Sequence, residues 1–183
     1  MERALLEYGG NAGRGGHQLT TKTSEQVFAA REEAAAFFGG KPENTIFCLN
    51  CTHALNLAIQ GILQPNDHVI ISSLEHNAVL RPVAAMVREQ GIRCSIAPVS
   101  ADDAETVAAF QERIRPDTKA IICTLASNVT GQILPYREIA ALCQANDICM
   151  IADGAQACGT LPVQLSDGMN ILCTAGHKGL YEI

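Results

Sequence analysis

The sequence lacks most of the features that mark the commoner ligand and compartment classes. No basic block interrupts it: 13 Lys and Arg stand against 19 Asp and Glu, a net charge of −6. Nucleic acid and anionic membrane surfaces are therefore not expected partners. No apolar run approaches the roughly 18–20 residues that a membrane span requires. The start, Met1-Glu2-Arg3-Ala4-Leu5-Leu6-Glu7, has no basic stretch leading into an apolar one, so no secretory signal is expected. Neither GxGxxG nor GxxxxGK[ST] occurs, which weighs against dinucleotides and nucleoside triphosphates. Internal repeats and low-complexity linkers are missing as well.

A disulfide framework is also missing, although there are 8 cysteines. Cys48, Cys94, Cys123, Cys149 and Cys173 fall inside apolar, strand-like runs, where a free thiol packs as a small hydrophobe. Cys48-Leu49-Asn50-Cys51 has CxxC spacing, but no second pair completes a zinc site, so packing is the expected role. Many thiols without disulfide spacing point to a reducing, cytoplasmic setting.

What is present is a regular alternation. With 183 residues and 48% hydrophobic content the chain suits one ordinary core, and a single domain over 1–183 is the expectation. Strands are expected at Thr45–Leu49, His68–Ser72, Arg93–Pro98, Ala120–Leu125, Cys149–Asp153 and Asn170–Thr174. Amphipathic helices are expected at Ser24–Phe38, His53–Leu63, Asn77–Gln90, Asp103–Ile114 and Tyr136–Asn146. Thr23 or Ser24 is the expected cap of the first, and Gly39-Gly40 its end. Apolar runs without alternation, such as Ala120-Ile121-Ile122-Cys123, suit strands covered on both sides. The fold class is thus α/β: a mostly parallel sheet with helices on both faces. Gly9 to His17 is the one irregular stretch, a glycine-rich loop.

In an open parallel sheet, ligands collect beyond the carboxyl ends of the strands. The expected ends carry Thr52 before a helix, His76 in Glu75-His76-Asn77, Asn128 in Ser127-Asn128-Val129-Thr130-Gly131, Asp153 with Gln156, and His177-Lys178. Taken singly, each has a plain reading. Thr52 suits a helix cap, His76 a structural histidine, and Lys178 a surface amine after a core strand. Together at one edge they suit a cofactor with an aldehyde and a pyridine ring. A lysine condenses with the aldehyde, and an isolated acid holds the ring proton so that the ring accepts electrons.

Asn11-Ala12-Gly13-Arg14-Gly15-Gly16-His17, Thr52-His53-Ala54-Leu55-Asn56, Glu75-His76-Asn77, Ser127-Asn128-Val129-Thr130-Gly131, Ala152-Asp153-Gly154-Ala155-Gln156 and Gly176-His177-Lys178-Gly179-Leu180 occur in one order and spacing. In these the chain resembles the class V aminotransferase family of pyridoxal-phosphate (PLP) enzymes, specifically the cysteine desulfurase and selenocysteine lyase branch. The resemblance implies the large domain of a fold-type I PLP-dependent transferase, a homo-oligomer, a cysteine or selenocysteine substrate and a sulfur-acceptor protein. It implies that Lys178 forms the Schiff base and that Asp153 pairs with the pyridine nitrogen. His76 would stack on the ring, and Gln156 would bond its phenolic oxygen. Thr52, the backbone of His53, and His177 would hold the phosphate, and Asn128 would lie near the substrate carboxylate or the ring. Arg14 and its loop would lie near the site or a subunit interface.

Three departures qualify that picture. Ala175 stands where many relatives carry a phosphate-binding serine, which leaves Thr174 as the substitute hydroxyl. His53 replaces an acid or small residue, and Tyr181-Glu182-Ile183 breaks from the usual continuation. The chain is also about half the family length. By resemblance the C-terminal small domain, with its carboxylate-binding arginine and sulfur-accepting cysteine, is absent, and turnover by this piece alone is expected to be incomplete. Another class V aminotransferase or lyase, or a remnant without turnover, stays open as an alternative at this point.

Overall fold

Helix-forming sequence on either side of a glycine-dense loop builds the N-terminal part. The computed structural model describes residues 2–181, and the chain divides into two compact units with the break between Phe47 and Cys48. The first unit holds α1 (Glu2–Glu7), α2 (Gln18–Phe38) and a 3-10 turn at Pro42–Asn44. The long helix begins at Gln18, not at Ser24. His17 is extended and its ring accepts a bond from the Thr20 amide, so the cap is made there. Thr23 and Ser24, the expected caps, turn their hydroxyls to the carbonyls of Leu19, Tyr8 and Thr20 instead. Their oxygens also accept the amides of Gly10 and Gly13, which ties the glycine-rich loop to the helix. Gly39 ends α2 in the left-handed conformation, φ 68°, as Gly39-Gly40 suggests.

The second unit is the α/β layer. Its strands are β1 (His68–Ser72), β2 (Arg93–Ala97), β3 (Thr118–Thr124), β4 (Cys149–Asp153) and β5 (Ile171–Cys173). They pair in parallel in the order β2-β1-β3-β4-β5. The helices α3 (Cys51–Ile62), α4 (Asn77–Gln90), α5 (Asp103–Gln111) and α6 (Tyr136–Ala145) connect or flank them. The expected strand at Thr45–Leu49 is not one. Its apolar, β-branched residues gave a strand signal, but a strand exists through ladder bonds to a neighbour, and among the described residues none reaches it. Ile46 and Leu49 are 73% and 87% exposed, so the segment lacks the buried face a strand needs.

Successive strand residues serve opposite faces. Val69, Ile71, Ala120, Ile122 and Ile151 pack with Leu55 and Ile59 of α3 and Val79, Val83 and Met86 of α4 in one core. Ile70, Ile121, Cys123 and Met150 face the other way, toward the layer where α5 and α6 bury Phe110, Ile139, Ala140 and Cys143. Both faces are covered, which explains the unbroken apolar runs. Among the described residues, no helix is long and apolar enough to cross a membrane.

Strand order reverses around β1. The chain leaves β1 through α4 to β2, then returns through α5 past β1 to β3 on its other side. A reversal of this kind opens a crevice beyond the carboxyl ends of the strands flanking the switch.

Candidate active site

That crevice is an open cleft with about 370 Å³ of empty space. Five segments meet there. Cys51 and Thr52 come from the first turn of α3, His76 caps α4, and Thr124 ends β3 with Asn128 in the loop beyond. Asp153 ends β4 with Gln156 just past it, and Lys178 follows β5. The parallel register makes the meeting obligatory, because Thr124 pairs with Asp153 and Asp153 with Cys173.

Asp153 is 4% exposed and is held through one oxygen. Its Oδ1 accepts the Ala155 amide at 2.9 Å and the Cys51 thiol at 3.6 Å. Among the described residues no hydrogen bond reaches Oδ2. His76 is oriented from below: its Nδ1 accepts the Ala78 amide at 3.1 Å. A backbone amide only donates, so the neutral ring carries its proton on Nε2.

Thr52 was weighed as a helix cap, but Asn50 is the cap of α3, accepting the His53 amide at 2.9 Å. The Thr52 hydroxyl is therefore left for the cleft. The same bond commits the His53 amide, and the His53 ring accepts from Leu49 at 3.4 Å. His53, Thr174 and His177 do not line the cleft. Thr174 Oγ1 is buried beside the Cys158 thiol, and His177 is exposed on the turn before Lys178. The structure thus gathers Thr52, His76, Asn128, Asp153, Gln156 and Lys178 and leaves those three at the margin.

Lys178 sits on a turn closed by its own amide bonding Ala175 O at 3.3 Å. Two glycines let that turn approach the segment after β4. A Cβ on Gly159 would collide with the backbone of Gly179, and one on Gly179 with the Cys158 carbonyl. Lys178 is exposed, and no carboxylate pairs with it among the described residues.

Below the cleft lies Glu75, 8% exposed. Its Oε1 accepts the Ser72 hydroxyl at 2.5 Å and the Thr124 amide at 2.8 Å, while Oε2 is buried without a hydrogen-bond partner. Burial pushes its ionisation up from the ordinary 4.5 to about 7, against the two hydrogen bonds and with help from the Asp153 charge. Glu75 does not line the cleft but grips Thr124, which does.

Cys51 and Thr124, which line the cleft, and Glu75 below it are residues that the sequence reading did not assign to the site. The signal for Glu75 was an acid between an apolar strand and a helix cap. For Cys51 it was a thiol just ahead of the helix expected from His53, at the ligand edge. Its packing role holds too, since it belongs to the core shared by α3 and α4.

A family model described as Aminotransferase class-V matches residues 1–181. A cysteine desulfurase of Serratia proteamaculans (strain 568) is 34% identical over 149 residues, covering 79% of this chain and 37% of that protein. The apo structure of a cysteine desulfurase from Thermococcus onnurineus NA1 superposes with a TM-score of 0.86 at 24% identity, over 97% of this chain and 45% of that one. A structure of SspA in complex with cysteine superposes with a TM-score of 0.84 at 27% identity, over 97% of this chain and 54% of that one. The chain therefore spans well under two thirds of the length of these relatives. The parallel sheet and its flanking helices are those of the solved cysteine desulfurases.

Proposed function

Because the chain belongs to the class V aminotransferase family, we propose that its cleft binds PLP and serves a cysteine-desulfurase-type reaction. The sulfur of L-cysteine would pass at the zero-valent level to an acceptor thiol, which becomes a persulfide, or the selenium of selenocysteine likewise, and alanine would remain. The observation that carries this reading is one cleft lined by an amine with no carboxylate partner among the described residues (Lys178), a buried acid whose Oδ2 accepts no hydrogen bond from them (Asp153) and an imidazole fixed in one tautomer (His76).

The residues fit the cofactor by their chemistry. Asp153 Oδ2 offers an acceptor to a protonated ring nitrogen, and Oδ1 is already satisfied. Thr52 offers a hydroxyl at a helix start, where a phosphate is favoured by the dipole and by free amides. His53, Thr174 and His177 lie outside the lining, so the reading assigns the phosphate first to Thr52. Gln156 and Asn128 supply amide groups for the ring oxygen and the substrate carboxylate. PLP, when bound, supplies an electron sink for the charge left at the substrate Cα. Lys178 Nζ would hold the cofactor's aldehyde, and it is the amine that would take and return a proton at the substrate Cα. His76, held by its Nδ1 bond to the Ala78 amide, would cover the ring face.

Two measurements test this. Adding PLP should produce a new visible absorbance band, and borohydride reduction should leave the cofactor mass on the peptide that contains Lys178. A band without such a peptide, or with the mass on another lysine, would refute the reading. Asp153→Asn should weaken PLP binding by about 10-fold, as expected for loss of a hydrogen bond to a charged group. Unchanged affinity would remove Asp153 from the ring nitrogen.

A further inference from the structure

Cys51 contributes a contact that the reading above does not use. It is the first residue of α3 after the Asn50 cap, 8% exposed, and its Sγ lies 3.6 Å from Asp153 Oδ1, within the range for sulfur. It also lines the cleft. The other bond to Oδ1 comes from Ala155, two residues along the same segment. A carboxylate held only by its own loop can still rotate about its last torsion, which is broad for aspartate. A second donor from a different element removes that freedom.

We propose that Cys51 is a positioning residue whose thiol, by donating to Asp153 Oδ1 from α3, sets the carboxylate plane so that Oδ2 alone presents to a ring nitrogen in the cleft. The inference rests on the PLP reading and goes beyond it by giving a core cysteine a polar task. Burial, and then the Asp153 charge, push the Cys51 ionisation well above its ordinary value, so the sulfur keeps its proton and stays a donor. A thiol is a weak donor. It orients the carboxylate while leaving most of the negative charge for the partner at Oδ2. The ordinary alternative is that Cys51 only fills space between α3 and α4, where it packs with Leu55, Val79 and Val83.

The two roles give opposite orders for two substitutions, measured on the full chain under reducing conditions by absorbance titration with PLP. Cys51→Ala removes the donor and should weaken PLP binding about 3- to 10-fold, the range for one modest hydrogen bond. Cys51→Ser keeps a donor and should restore affinity to within about 2-fold of the native protein, even though a hydroxyl in an apolar core lowers the melting temperature measured without PLP. In an Asp153→Asn background, Cys51→Ala should have no further effect on affinity. If Ser weakens binding as much as Ala or more, or if Ala still acts in the Asp153→Asn background, the thiol only packs and the proposal is overturned. Failure of the native chain to bind PLP at all is a distinct result: it removes the cofactor reading and this inference with it.

Discussion

Lys178→Ala is expected to leave no visible band on PLP addition and no borohydride-trapped adduct, while the protein stays folded. The separation of the two effects is what makes the variant informative. Lys178 is exposed, contributes no side chain to the core and pairs with no carboxylate among the described residues. Its turn is held by backbone, through the Ala175 carbonyl and the close approach of Gly179 to Gly159. Truncation at such a position typically changes stability by no more than about 0.5 kcal/mol. Loss of the chromophore with an unchanged melting curve would locate the covalent chemistry at this amine. A band of native intensity in Lys178→Ala would end the PLP reading as stated here.

The second large effect concerns stability, not chemistry. Glu75 has a folded-state ionisation near 7 against an ordinary 4.5. Between those values the unfolded chain has lost the proton and the folded chain keeps it, so stability falls as pH rises through the window. Below 4.5 both states are protonated, and above 7 both are ionised, so the curve flattens at each end. A shift of this size corresponds to about 3 kcal/mol. Glu75→Gln retains an Oε1 acceptor for Ser72 and Thr124 but cannot ionise. Urea unfolding at pH 5 and pH 8 should therefore show native stability dropping by about that amount relative to the variant. Parallel pH curves for the two proteins would show that Glu75 is not held protonated near neutrality.

A protonated Glu75 also matters to the cleft. Its Oε1 grips the Thr124 amide at the cleft wall, and an ionised Glu75 would add a negative charge within electrostatic reach of Asp153. The pH dependence of the fold and the electrostatics of the cleft are thereby linked through one side chain.

The relation between sequence and structure differs from element to element. His68–Ser72, Asn77–Gln90 and Cys149–Asp153 lie where periodicity and caps put them, because local signals and tertiary burial agree there. Thr45–Leu49 fails because strand character is decided by a neighbour that composition does not announce. The start of α2 moves because His17 is an uncommon cap, while Ser24 and Thr23, the favoured residue types, bond backward into the helix. Thr52 is the instructive case at the site. Its residue type suits a cap, but Asn50 takes that duty and so frees the hydroxyl.

By itself the sequence determined the alternating α/β class and six of the residues that line the cleft: Thr52, His76, Asn128, Asp153, Gln156 and Lys178 all stand at or just past elements whose apolar periodicity is strong, whereas His53, Thr174 and His177, read the same way, lie outside the lining. Position along a parallel strand translates directly into position at one edge, so residue order brought these six to the cleft. Only the tertiary structure decided how those groups are held. Cys51 meets Asp153 across 102 positions of chain, and Glu75 meets the Thr124 amide across 49. Contacts between distant segments depend on register and helix rotation, which local sequence does not encode, and a buried acid or thiol takes its ionisation from that environment.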